Sequence, residues 1–106
     1  MVAQAGNGGA PGPGLRAASQ LLARPWTLLI VAVIAAGPCR FTELAVTLDG
    51  ISTNLLTDRL KTLTAAGLIE REGHSREVMY SLSASGAALR PVLTQLEQWG
   101  RTLTEK

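Results

Sequence analysis

The chain has 106 residues, with ten Lys and Arg against eight Asp and Glu, one His and one Cys, for a formal charge of +2. Apolar residues make up 46 % and charged ones 17 %, against about 25 % charged in average soluble proteins, so a core can close and a chain disordered throughout is excluded. A single Cys and a single His exclude an intrachain disulfide framework and a four-ligand Cys/His zinc site, and no metal or cofactor is expected.

Residues 1–14 hold five glycines with Pro11 and Pro13 and carry no charged side chain. Such a tract offers little to bury against the entropy of ordering it and reads as a tail. Residues 15–106 then form one folded domain. Residues 15–23 suit a short helix closed by Arg24, with Pro25 opening the next helix, where its missing N–H costs nothing. From 26 to 36 every position except Thr27 is apolar, and Gly37 and Pro38 end the run. At eleven residues the run falls short of the ~20 needed to span a membrane. A lipoprotein signal ending at Cys39 would need a small residue where Pro38 stands, and cleavage there would remove a helix that the rest of the chain needs as core. The expectation is a buried helix in a cytoplasmic protein with no membrane partner.

Residues 41–48 place Phe41, Leu44, Ala45 and Leu48 at helical spacing. Asp49 and Gly50 make a turn, and Ser52 is an N-cap candidate for a helix running to about residue 66. Leu56, Leu60 and Leu63 share one face of that helix, and Gly67 caps its end. Residues 68–72 and 77–82 alternate apolar and polar around a Gly-containing turn, the pattern of a β-hairpin. Residues 84–103 form a last helical segment that Pro91 must kink or restart.

This order, short helices with a tight turn between the second and third and then a hairpin, predicts a mainly α fold with a small β-hairpin. It is a winged helix-turn-helix, dimerised through its terminal helices. With Leu44, Ile51, Leu56 and Leu60 locking the helix pair, the opposite face of its second helix, residues 52–66, is free to enter a DNA major groove. Asn54, Asp58, Lys61 and Ala65 fall on that face, with Thr53 and Thr57 beside them. Asn54 suits bidentate pairing with adenine and Thr57 a thymine methyl or hydroxyl contact, while Lys61 is placed for a phosphate. Asp58 is open to two readings, acceptance from a cytosine amine or support of Lys61. Arg40, Ser52 and Arg59 complete the candidate set on the helix pair, and His74 and Arg76, with Arg71, offer phosphate or minor-groove contacts from the hairpin.

Several stretches resemble the HxlR family of bacterial transcription regulators. They are Trp26-Thr27-Leu28-Leu29-Ile30, Gly37-Pro38, Arg40-Phe41, Glu43-Leu44, Gly50-Ile51-Ser52, Leu55-Leu56-Thr57, Arg59-Leu60-Lys61 and Gly67-Leu68-Ile69-Glu70-Arg71. Tyr80-Ser81-Leu82, Gly86, Pro91-Val92-Leu93 and Trp99-Gly100 continue the series. The resemblance implies a winged-helix homodimer on inverted-repeat double-stranded operator DNA, with residues 52–66 as recognition helix and 72–77 as wing. Family members that sense electrophiles or oxidants carry a Cys just before the first helix, where this chain has Gly12-Pro13-Gly14. Cys39 occupies a different place, where Arg40 could lower its pKa but a passive role is the simpler reading. The wing is also shorter than is common in the family.

Residues 40–80 carry five basic and six acidic residues, so affinity for DNA must come from arrangement and from doubling in a dimer. The last helix has more apolar material than a lone small domain can cover, and Leu89, Val92, Leu93, Leu96, Trp99 and Leu103 are the expected dimer interface. Trp26, Leu29, Val33 and Trp99 are candidates to line a pocket for a small apolar effector. An enzyme is excluded for want of a nucleophile–base pair or a phosphate-cradling loop. The expected function is a sequence-specific DNA-binding regulator, acting as a repressor. The alternative is a winged-helix module for protein–protein interaction, which suits the slightly acidic reading segment.

Overall fold

The computed structural model describes residues 9–74 and 77–105. Among these residues six helices and one hairpin follow in the order α1 (Pro13–Leu22), α2 (Thr27–Ala36), α3 (Phe41–Thr47), α4 (Thr53–Ala65), β1 (Ile69–Glu72), β2 (Met79–Leu82), α5 (Ala84–Ala87) and α6 (Arg90–Thr104). Helix α1 starts at Pro13, inside the stretch read as tail, because a proline is pre-set for the first turn of a helix. Residues 1–8 of that tail lie outside the described residues.

Pro25 does not open α2. It lies in the turn before it, and Trp26 becomes the N-cap with a left-handed φ of 74°. A bulky residue there is strained. It is held because its carbonyl accepts from Ile30 N (2.9 Å) and its ring packs against the core, close to Gly50 in the α3–α4 turn. Helix α2 is the centre of the molecule, with Thr27, Ile30, Val31 and Ile34 buried. Leu44 of α3 and Leu56, Leu60 and Leu63 of α4 close around it, joined by Ile69, Val78 and Tyr80 from the hairpin region. Full burial of each such Leu contributes about 1.5–3 kcal/mol. The Leu44–Leu56–Leu60 lock expected from the sequence is present, with Ile51 only half-buried beside it.

The end of α4 is a Schellman motif. Gly67 takes φ 81°, its N–H donates to Thr64 O (3.0 Å), and Leu68 N donates to Leu63 O (3.1 Å). That reversal launches β1, which pairs antiparallel with β2 in the register Ile69↔Leu82 to Glu72↔Met79. Cys39 forms a bridge on the other edge of β2, exchanging hydrogen bonds with Tyr80 at 3.0 and 2.8 Å. The sheet is therefore tied to the α2–α3 connection.

Pro91 restarts the chain rather than kinking it: α5 ends at Ala87, and α6 begins with the proline in its first turn. Arg90 Nε donates to Ala35 O (3.1 Å), placing a cation at the carbonyl end of α2. Neither α1 nor α6 has a buried residue, and the radius of gyration is 15.6 Å, against about 13 Å for a compact domain of this size. No single helix among the described residues is long and apolar enough to cross a membrane, and the adjacent α1 and α2 meet at 89°.

Candidate nucleic-acid interface

The candidate reading element is α4, and its local sequence explains its setting. Ser52 is its N-cap, with Oγ accepting from Leu55 N at 3.1 Å, so the remaining first-turn N–H groups point outward, where an anion is favoured. Leu56, Leu60 and Leu63 turn inward, and Ser52, Thr53, Asn54, Thr57, Asp58, Lys61 and Ala65 are exposed. The face derived from 100° per residue is the face the fold presents.

Arg59 departs from its expected role. Its side chain is only 12 % exposed, Nε donates to Pro25 O (2.9 Å), and Nη1 pairs with Asp58 Oδ2 (2.8 Å). It anchors α4 to the α1–α2 turn, because the Pro25 carbonyl, 34 residues away in the chain, captures the guanidinium. The same guanidinium gives Asp58 a partner that neither reading contained: its Oδ2 accepts from Arg59, while the side chain stays 59 % exposed on the outward face.

The opposite flank of α4 borders a groove of about 510 Å³ against the sheet, lined by Phe41, Thr57, Leu60, Lys61, Thr64, Ala65, Arg71 and Tyr80. Arg71 joins Lys61 here because β1 register sets it opposite Tyr80, and cross-strand partners share a face of the sheet. Glu70 and Glu72 alternate with it and point to the other face. The sequence pattern placed Arg71 on the hairpin, and the tertiary fold makes it a neighbour of the reading helix. Arg40 is exposed at the start of α3, where its own N–H donates to Glu43 Oε1 (2.7 Å). His74 is exposed in the hairpin turn, its carbonyl accepting from Glu77 N (2.9 Å). Arg76 lies outside the described residues.

Cys39 does not have the lowered pKa that proximity to Arg40 would give. It is 7 % exposed, and burial, with the Glu43 carboxylate adding to it, pushes the thiol above its ordinary value of 9.0. Of the candidate effector residues, Trp26 and Val33 pack against the core while Leu29 and Trp99 are 55 % and 61 % exposed. None of the four lines the surface grooves of 290–540 Å³ on the described residues. Among the described residues these four side chains do not share one of those grooves. On α6, Leu89 and Leu93 pack partly on the core, whereas Val92, Leu96, Trp99 and Leu103 form an exposed apolar stripe.

The HxlR-like helix-turn-helix family model matches residues 21–106. The chain belongs to that family. It is 33 % identical over 96 residues to the HTH-type transcriptional regulator YodB of Bacillus subtilis, covering 88 % of this chain and 86 % of the relative. It is 32 % identical over 90 residues to the uncharacterised HTH-type regulator YvaP of the same organism, covering 82 % and 83 %. Among solved structures, quinone-bound YodB from B. subtilis superposes with a TM-score of 0.77 at 34 % identity, over 87 % of this chain and 99 % of that one. A regulator described as of the MarR family, from Porphyromonas gingivalis W83, gives 0.79 at 32 % identity, over 87 % and 93 %. The HxlR-type chain is thus a DNA-binding helix-turn-helix transcription regulator of winged-helix fold, and its family is one of regulators, not enzymes.

Proposed function

We propose that the protein acts in the cytoplasm as a homodimeric repressor that sets α4 of each protomer into successive major grooves of an inverted-repeat operator. The observation that carries the reading is the outward face of α4: Thr53, Asn54, Thr57 and Lys61 exposed on a helix whose other flank is fastened by Arg59 and whose N-terminus is open beyond the Ser52 cap. Asn54 reads a base edge, Lys61 and Arg71 hold phosphates, and Arg40 and His74 reach the flanking backbone. Asp58, the acid on this face, is paired with Arg59, which offsets part of its repulsion of a phosphate backbone.

Dimerisation uses the stripe Val92, Leu96, Trp99 and Leu103, with Leu89 and Leu93 at its inner edge, against the same stripe of a second copy. A small apolar effector held between protomers, near Trp26, Leu29, Val33 and Trp99, is the accompanying reading. A relative, YodB, has a quinone-bound structure, which supports an organic effector. The buried Cys39 does not support an electrophile-sensing thiol.

The test is titration of the purified protein against fluorescent DNA from upstream of its own gene at two salt concentrations. A regulator binds an inverted repeat with half-sites about one helical turn apart, roughly 34–36 Å. Asn54→Ala costs about 1–3 kcal/mol at one base position, and Lys61→Ala lowers the salt slope by about 1 for all sequences. Equal affinity of native and scrambled DNA for wild type and Asn54→Ala alike refutes direct readout and leaves the protein-interaction module as the better account.

A further inference from the structure

We propose that the groove between α4 and the hairpin sheet binds a small aromatic anion, and that such a ligand and DNA exclude one another. The groove measures about 510 Å³, inside the ~300–1,000 Å³ range of small-molecule sites. Its floor is apolar, built from Phe41, Leu60, Ala65 and Tyr80. Two cations stand on its walls, Lys61 from α4 and Arg71 from β1, both exposed and neither in an ion pair among the described residues.

This combination selects one chemistry. A DNA phosphate uses the cations but leaves the floor uncovered, since the backbone contact needs only charge and hydrogen bonds. A neutral apolar molecule covers the floor and leaves the cations without a partner. A flat aromatic ring bearing a carboxylate does both, with the ring on the floor and the carboxylate between the ammonium and the guanidinium, whose planar fork favours that group. The acids of β1 do not repel it, because they alternate onto the other face of the sheet. Thr57 and Lys61 belong both to the groove and to the outward face of α4, so an occupant takes the contacts that DNA requires. The exclusion rests on the DNA-reading role of α4; ligand binding itself does not.

The experiment is a titration of the ¹⁵N-labelled full chain with 1-naphthoate, with 1-naphthalenemethanol as the uncharged analogue and acetate as the anion without a ring. Naphthoate is expected to move the amide resonances of Thr57, Thr64, Ala65 and Arg71 first, with the alcohol weaker and acetate without effect. Lys61→Gln and Arg71→Gln, both at exposed positions, are each expected to weaken naphthoate about three- to tenfold and to leave the alcohol unchanged. Equal binding of alcohol and acid, or shifts gathered on α6 instead, overturns the site. In a second arm, naphthoate is expected to raise the Kd for operator DNA in proportion to its occupancy of the groove. If it fills the groove while DNA binds as before, the exclusion is refuted. If the chain binds no DNA at all, the regulator reading fails while the naphthoate titration still decides the site.

Discussion

At Gly86 the fold has no room for even one methyl group. Its backbone is not in the left-handed region; glycine is required there for space. A Cβ would lie 2.0 Å from Leu68 O, 3.0 Å from Leu68 C and 3.2 Å from Leu82 Cδ2. Two of those atoms are backbone, so no rotamer change relieves the clash, and the Leu68 carbonyl must withdraw by more than about 1 Å to regain ordinary contact. That carbonyl is held by two donors, Ser83 N at 2.9 Å and Ser83 Oγ at 3.0 Å, while Gly86 N itself donates to Ser83 Oγ at 3.0 Å. Loss or distortion of these bonds costs about 0.5–1.5 kcal/mol each. Overpacking adds about 1–3 kcal/mol, and the better helix propensity of Ala returns up to about 1 kcal/mol.

The net expectation for Gly86→Ala is a loss of about 2–4 kcal/mol, or roughly 10–25 °C in Tm for a domain of this size. Thermal melts by far-UV circular dichroism, at fixed protein concentration because association shifts the midpoint, measure it directly. Gly100→Ala is the control. Gly100 sits within α6 with nothing inside 4 Å of its added Cβ, so the same chemical change there is expected to be neutral or stabilising by about 0.5–1 kcal/mol. A Gly86→Ala protein melting within a few degrees of wild type would refute the steric account. Because Ser83 and Gly86 fix where the hairpin meets the end of α4, the variant is also expected to weaken DNA binding below its melting temperature.

Arg59→Ala removes a bond to Pro25 O and the Asp58 pair. It is expected to cost about 1–3 kcal/mol, with Arg59→Lys recovering little because an ammonium lacks the fork that serves both acceptors; equal urea midpoints for all three proteins refute the anchoring role. Cys39, buried with a raised pKa, is expected to resist iodoacetamide at neutral pH and to react once the chain is unfolded, and rapid labelling of the native protein contradicts its burial. Since the unfolded thiol ionises first, its stabilising contribution is intact below the ordinary thiol value of 9.0 and is lost as pH rises through the folded pKa. The fall in stability above that pH should accordingly be smaller in Cys39→Ala. Leu96→Glu and Trp99→Glu place charge in the exposed stripe of α6 and are expected to give monomers by sedimentation; dimers of unchanged affinity would move the interface elsewhere.

A reading segment with more acids than bases can serve as a DNA surface because the charges are segregated. Asp58 is paired, Glu43 is engaged by the Arg40 N–H, and the acids of β1 alternate away from Arg71. Lys61 and Arg71 are left together on the side where α4 is exposed. Net charge summed along the chain contains none of that geometry.

The sequence by itself determined the order of elements, the inward face of α4, its Ser52 cap, its Gly67 stop and a break in regularity at Pro91, which the fold resolved as a restart. Each is written in local terms, as a helical period, a capping hydroxyl, a glycine able to take positive φ, or a ring that cannot donate. Only the tertiary structure decided where the long and ambiguous side chains went. Periodicity gives the direction of a Cα–Cβ bond but not the end point of a flexible guanidinium, so Arg59 was indistinguishable from a DNA contact until Pro25 O stood beside it. Cys39 was enclosed by the core and faced the Glu43 carboxylate, and so its pKa moved up although Arg40 stands beside it in the chain. Trp26 left the helical region because the α1–α2 turn had to close over the core. Lys61 and Arg71 came to line one groove because strand register, a relation between distant segments, brought Arg71 and Tyr80 onto the same face of the sheet.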